Sequence, residues 1–227
     1  MNKKVVVITG ASSGIGKEAA RLFAEKGYFL ILSGRNEKEL EEFKDKNAEI
    51  VIGDITFEEI QNQIVNLIKN KYQRVDILVN NAGITYIQPF EKNTKDQVDR
   101  IVETNLKAPI FLTQKIYPIM VDQNFGHIIF TNSTAGKEPK LNHTLYSATK
   151  FGLSGFARTL RLEAKKHNIR VTSLHPGGVK TKLYDNVDPK PDISTYMDPK
   201  KVAEILIYLA ETQDLSPDEV VINRMAK

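Results

Sequence analysis

The chain has 227 residues, a formal charge of +4 from 32 Lys and Arg against 28 Asp and Glu, and 41% hydrophobic residues. That length suits one large α/β domain with a buried core, and lysines dispersed among acids read as solvated surface rather than a nucleic-acid face. The absence of cysteine excludes disulfides, thiolate nucleophiles and sulfur-ligated metal and fits a cytoplasmic setting, and no stretch reaches the roughly 18 apolar residues of a membrane span.

The opening MNKKVVVITG has a basic end and a short apolar run before Gly10, with no small-residue cleavage site, and reads as a first strand. A helical period runs from Gly14 to Lys26, followed by the strand FLILS, a helix from Glu37 to Asp45 and the strand EIVIG. Next come a helix from Phe57 to Asn70, with Thr56 and Glu59 spaced as a capping box, and the strand DILVN. A long helix is predicted from Thr94 to Val121, then the strand HIIFTN, a helix from Tyr146 to Lys166 and the strand IRVTSLHP. After an irregular stretch from Lys182 to Asp198, the Asp198-Pro199 pair caps a helix reaching Ala210, and EVVIN closes the series. Strands apolar on both faces and separated by helices predict an α/β, doubly wound, Rossmann-type fold. About seven parallel strands with helices on both faces are expected in a single domain, and residues 182–198 are expected to form a substrate loop.

TGASSGIG lies between the first strand and the first helix. Backbone N–H groups and the positive end of the helix dipole meet there, which suits a pyrophosphate. Gly10 permits the tight turn, Gly14 a close approach by the ligand and Gly16 close packing of helix on sheet, so Gly10, Ser12, Ser13, Gly14, Ile15 and Gly16 are the expected dinucleotide contacts. Arg35 stands at the end of the second strand, where an acid would bind ribose hydroxyls. An arginine there suits a 2′-phosphate and predicts NADP(H) over NAD(H).

Tyr146 and Lys150 are one helical turn apart and share a helix face. A cation near a phenol favours the phenolate and makes the pair a proton donor for a carbonyl or an acceptor for an alcohol. Asn105 lies four residues before Pro109, which has no N–H for the Asn105 carbonyl. Inside a predicted helix an isolated asparagine ordinarily reads as a surface residue or a local bend, but here that oxygen is expected to be left free. The four histidines lack metal-ligand spacing, so no metal site is expected.

TGASSGIG, NNAG ending at Gly83, Asn105, TNSTAG with Ser133, YSATK and PGGVKT occur in that order, and with them the chain strongly resembles the classical short-chain dehydrogenase/reductases. The resemblance implies a nicotinamide cofactor and a catalytic tetrad of Asn105, Ser133, Tyr146 and Lys150. With that tetrad, the free Asn105 oxygen would suit a water linked to Lys150. It further implies that Asp54 and Ile55 meet the adenine and that Asn81, Ala82 and Gly83 pass beneath the adenosine ribose. Tyr146, Lys150, Pro176, Gly177, Val179 and Thr181 would adjoin the nicotinamide half, with Val179 and Thr181 at the carboxamide. Ser133 would orient the substrate oxygen, with a turn or cap role as its alternative, and Thr181 has a capping alternative too. A homodimer or homotetramer is expected, through the helices beginning near Thr94 and Tyr146.

Asn132 replaces the serine that many members carry before Ser133, and EVVINRMAK lacks the glycine-rich closing segment of many longer members. In that respect the chain looks closer to short members such as sepiapterin reductase-like and hydroxy-acid dehydrogenase-like enzymes. The expected activity is NADP(H)-dependent hydride transfer to a small carbonyl compound or from a secondary alcohol. The alternatives are a 3-ketoacyl carrier-protein reductase and a non-catalytic NADP-sensing protein. Tyr184 and Tyr196 read as loop anchors or as a cover over substrate. Lys137, Lys140 and His143 read first as a solvated loop, with attraction of an anionic substrate as the alternative.

Overall fold

The computed structural model describes residues 3–185, 187–212 and 214–225. Its seven strands are β1 (Val5–Thr9), β2 (Phe29–Gly34), β3 (Ala48–Ile52), β4 (Ile77–Asn80), β5 (Gly126–Thr131), β6 (Ile169–Pro176) and β7 (Glu219–Ile222). They form one parallel sheet in the order β3-β2-β1-β4-β5-β6-β7, the Rossmann-type arrangement expected.

Strand side chains alternate between two apolar layers, which is why the strands read as continuous hydrophobic runs. Val5, Val7, Leu78, Ile128 and Phe130 face one layer. Covering it are α3 (Glu58–Leu67), α5 (Ala108–Gln123) and α6 (Thr144–Ala164), through Ile64, Leu112, Ile116 and Leu153. Val6, Ile8, Leu30, Leu32 and Val79 face the other. There α1 (Gly14–Glu25) and α7 (Pro199–Glu211) supply Ala19, Phe23, Val202 and Leu206. The strand order reverses between β1 and β4, so the carboxyl ends of these strands open a crevice at the switch point.

Asp198 caps α7 by accepting from the Lys200 N–H at 2.8 Å, with Pro199 in the first turn, as the sequence predicts. The capping box at Thr56 and Glu59 does not form. Asp54 captures both the Thr56 N–H and hydroxyl, at 3.0 and 2.9 Å, and α3 starts after Phe57 without a side-chain cap. A capping box is instead made by Thr94 and Gln97 at the start of α4 (Lys95–Val102). The segment from Glu37 is only a short α2 (Glu37–Leu40) tightening into a 3₁₀ turn, Glu41–Phe43.

The long helix expected from Thr94 to Val121 is broken by a π turn, Glu103–Lys107, between α4 and α5. At its end the Ala108 N–H bonds the Glu103 carbonyl, one residue beyond α spacing. Pro109 follows immediately and cannot donate to Asn105, so the ladder cannot continue in α register at that point.

Candidate active site

A cleft of about 1490 Å³ runs along the carboxyl edge of the sheet, and every residue expected in the site lines it except Gly16 and Asn105. At one end is the turn between β1 and α1. Gly10 has φ +66° and Gly14 φ +54°, conformations that side-chain-bearing residues rarely adopt. A Cβ on Gly10 would stand 2.9 Å from Ala82 Cα, and one on Gly14 would stand 2.8 Å from the Thr181 methyl. The expectation for Gly14 is thus refined: its missing side chain admits Thr181 as well as opening the backbone.

Gly16 packs on the side chain of Asn81 and the Gly10 carbonyl, each 2.4 Å from where its Cβ would lie. Asn81 Nδ2 donates to Thr9 O and Gly10 O at 3.0 and 3.3 Å, and the Thr9 hydroxyl accepts from the Asn81 and Ala82 N–H groups. The Asn81 side chain therefore braces the turn. The first turn of α1 carries no acidic residue, and Ser13 makes no side-chain cap bond there. Its amide dipoles are left to face the cleft, a cradle that fits a pyrophosphate.

Beyond the turn, Arg35 is 71% exposed with Nη1 3.8 Å from Asp54 Oδ2. Ile55 is buried beside Asp54, and both line the cleft. Arg35 is held loosely enough to meet an anion, although Asp54 competes for it.

At the other end Ser133 and Tyr146 are buried with Lys150. The Ser133 hydroxyl accepts from the Ala135 N–H at 3.1 Å and caps a 3₁₀ turn, Thr134–Gly136, so the capping role is present. It also faces Tyr146, opposing the burial that pushes the phenol up to about 12. Lys150 Nζ donates to Thr131 O at 2.9 Å and stands 5.6 Å from the centroid of the Tyr146 ring. Burial pulls Lys150 down to about 8. The expected lowering of Tyr146 by Lys150 is not seen: desolvation dominates both groups, raising the phenol and lowering the ammonium, and the opposing pull on the phenol comes from Ser133.

Asn105 is buried, and its side chain clamps the Ile84 backbone, Oδ1 accepting from N–H at 2.8 Å and Nδ2 donating to O at 2.9 Å. A further bond reaches Thr149 Oγ1 on α6 at 3.3 Å. Gly83 lies between Asn105 and Lys150: its Cβ would meet Asn105 Oδ1 at 3.3 Å and Lys150 Nζ at 3.9 Å.

Thr181 takes its capping role, accepting from the Leu183 N–H at 3.3 Å ahead of a 3₁₀ turn, Lys182–Tyr184. Pro176 ends β6 and Gly177 and Val179 follow it into the cleft, where Val179 bridges to Met197. Tyr184 and Tyr196 pack edge to face at 5.4 Å and both line the cleft.

Two contacts escaped sequence reasoning. Asn132 accepts from the Ser133 N–H at 3.0 Å and donates to Ser154 Oγ at 2.9 Å, tying the end of β5 to α6. His175, fully buried, bonds the Ser133 carbonyl through Nδ1 at 3.0 Å. Only the unusual Asn before Ser133 signalled the first; the second had no local signal, because its partner is 42 residues away.

The chain matches the family model described as short chain dehydrogenase over residues 4–192, and it belongs to that family of oxidoreductases. An uncharacterized oxidoreductase of Staphylococcus saprophyticus is 33% identical over 98% of this chain and 97% of its own length. The 3-ketoacyl-(acyl-carrier-protein) reductase of Brucella melitensis, solved with NADH, superposes with a TM-score of 0.88 at 29% identity, covering 96% of each chain. The closed form of a serine dehydrogenase with NADP+ gives 0.90 at 28% identity, covering 96% of this chain and 94% of that one.

Proposed function

We propose that the protein is an NADP(H)-dependent oxidoreductase that moves hydride between the nicotinamide and a ketone, aldehyde or secondary alcohol, with Tyr146 as general acid and base. The observation that carries this reading is the convergence of Ser133, Tyr146 and Lys150 on the same cleft as the glycine turn. The turn and the α1 amides would hold the pyrophosphate, Arg35 the 2′-phosphate, and Val179 and Thr181 the carboxamide edge. Bound there, the cofactor supplies or accepts the hydride.

Ser133 orients the substrate oxygen. Tyr146, pushed up to about 12 by burial, holds its proton at neutral pH, the state a general acid needs for carbonyl reduction. It gives that proton to the oxygen as negative charge develops. Lys150 then returns a proton to the phenol, and the Asn105 main-chain oxygen, which Pro109 cannot engage, positions a water that connects Lys150 to solvent. The four residues act as one tetrad within a single catalytic domain. Phe111 and Phe151, large apolar side chains left exposed on α5 and α6, support assembly through those helices.

The test is NADPH titration followed by a carbonyl panel read as NADPH consumption. Tyr146→Phe is expected to bind NADPH normally and to lose activity roughly 10²- to 10⁴-fold; undiminished turnover would refute the assignment of Tyr146. Binding without turnover of any carbonyl by the wild type would favour a sensor. The likeness to the Brucella reductase places a carrier-bound 3-ketoacyl thioester in the panel.

A further inference from the structure

We propose that Lys140 and Arg224 form an anion-binding pair at the substrate end of the cleft, and that the carbonyl substrate is a compact oxo acid whose carboxylate they hold. The inference rests on the oxidoreductase reading for its reaction and on separate residues for its specificity. Lys140 comes from the loop after β5 and Arg224 from the segment after β7, and both line the cleft.

Lys140 donates to Thr134 Oγ1 at 2.6 Å, one residue from Ser133. From Lys140 the chain runs directly to Tyr146, with the His143 ring edge-on to the phenol at 6.3 Å. The Arg224 guanidinium lies 5.4 Å from the centroid of Tyr196 and donates to Thr195 Oγ1 at 2.6 Å, while Tyr196 packs on Tyr184. Both cations are thus tethered to walls of the reaction pocket by neutral partners, with N–H donors left over for a ligand.

Among the described residues, neither cation has a carboxylate within ion-pair distance. The other cations lining the cleft are differently placed: Lys182 pairs with Glu39, Arg100 with Asp96 and Arg35 with Asp54. Lys150 is held by Thr131 O, and Lys38 stands beside Arg35 at the start of α2. The acids lining the cleft are Glu37, Glu41, Asp54, Asp99 and Glu103, and none comes from the segments that carry Ser133, Tyr146, Tyr196 or Arg224. Lys140 and Arg224 are exposed at the mouth of the cleft. Desolvation and Arg224 pull Lys140 below its usual range against Glu138, and Asp192 lies in the field of Arg224, but neither acid lines the cleft, where a ligand anion would meet both cations. A planar carboxylate matches the guanidinium fork, and a compact substrate brings that carboxylate within reach while its carbonyl lies at Tyr146.

Pyruvate, acetoacetate and levulinate, each beside its methyl ester, are to be titrated calorimetrically into NADPH-loaded and cofactor-free Tyr146→Phe protein. NADPH oxidation by the Tyr146 enzyme is followed on the same pairs. At least one acid is expected to bind more tightly than its ester. Lys140→Gln and Arg224→Gln should each weaken the acid roughly fivefold and leave the ester unchanged, as for solvent-accessible ion pairs. Lys140→Arg should restore the acid. Equal binding of every acid and ester, or equal losses on both in the Gln variants, would overturn the proposal. Selective acid binding without NADPH oxidation on any of these pairs or on the wider carbonyl panel would refute the oxidoreductase reading and leave the anion site standing. Oxidation with no preference for acids would do the reverse.

Discussion

Lys150→Met should make the cofactor-free protein more stable while removing its proposed activity. Lys150 is 4% exposed, and burial takes it from 10.5 down to about 8. At about 1.4 kcal/mol for each pH unit, holding the ammonium in the fold costs about 3 kcal/mol at neutral pH. Methionine keeps the apolar stem and removes the charge. It also removes the bond to Thr131 O, a loss of about 1 kcal/mol. The net gain is about 2 kcal/mol at pH 7, or a rise in Tm of roughly 4–8 °C for a chain of this size. Between pH 8 and 10.5 the folded wild type releases this proton while the unfolded chain retains it. Wild-type stability therefore rises through that window relative to the variant, and the variant's advantage disappears. Urea and thermal melts of cofactor-free protein from pH 7 to pH 10, followed by circular dichroism, measure the difference directly. A variant less stable than wild type at pH 7, by an amount constant across the range, would refute the reasoning.

Arg35→Asp should lower the ratio of kcat/KM with NADPH to that with NADH by roughly tenfold or more, since it removes a charge-assisted contact and places a second acid beside Asp54. An unchanged ratio would exclude Arg35 as the phosphate partner. Gly14→Ala forces a side chain into a left-handed position and against Thr181, costing roughly 1–2 kcal/mol from backbone strain alone. It should weaken NADPH binding as well as lower the melting temperature. Thr181→Ser, which keeps the capping hydroxyl and deletes the methyl, should recover part of both losses; no recovery would mean that the contact is not limiting.

Much of this molecule was legible in one dimension because the relevant physics is local. Val5 to Ile8 alternate between two buried layers, so apolarity on both faces marked the strand as internal. The Asp198-Pro199 cap needed nothing beyond its own turn. Thr56 misled because Asp54, two residues before it, competes for the same donor groups. The break at Glu103–Lys107 was half legible: Pro109 announced a missing donor, but no residue spacing specified the π register that accommodates it.

The sequence by itself determined the seven strands, the glycine turn and the helical spacing of Tyr146 and Lys150 on which the proposed proton transfer rests, since periodicity, backbone freedom and helical spacing are properties of neighbours along the chain. Tertiary structure decided that Asn81 braces the turn, that His175 holds the Ser133 carbonyl, and that Arg224 reaches the cleft entered by Lys140. It also reversed the expected balance at Tyr146, because burial acts on the phenol and on Lys150 together. Desolvation and contact between distant segments are set by what surrounds a group in space, and no spacing along the chain encodes them.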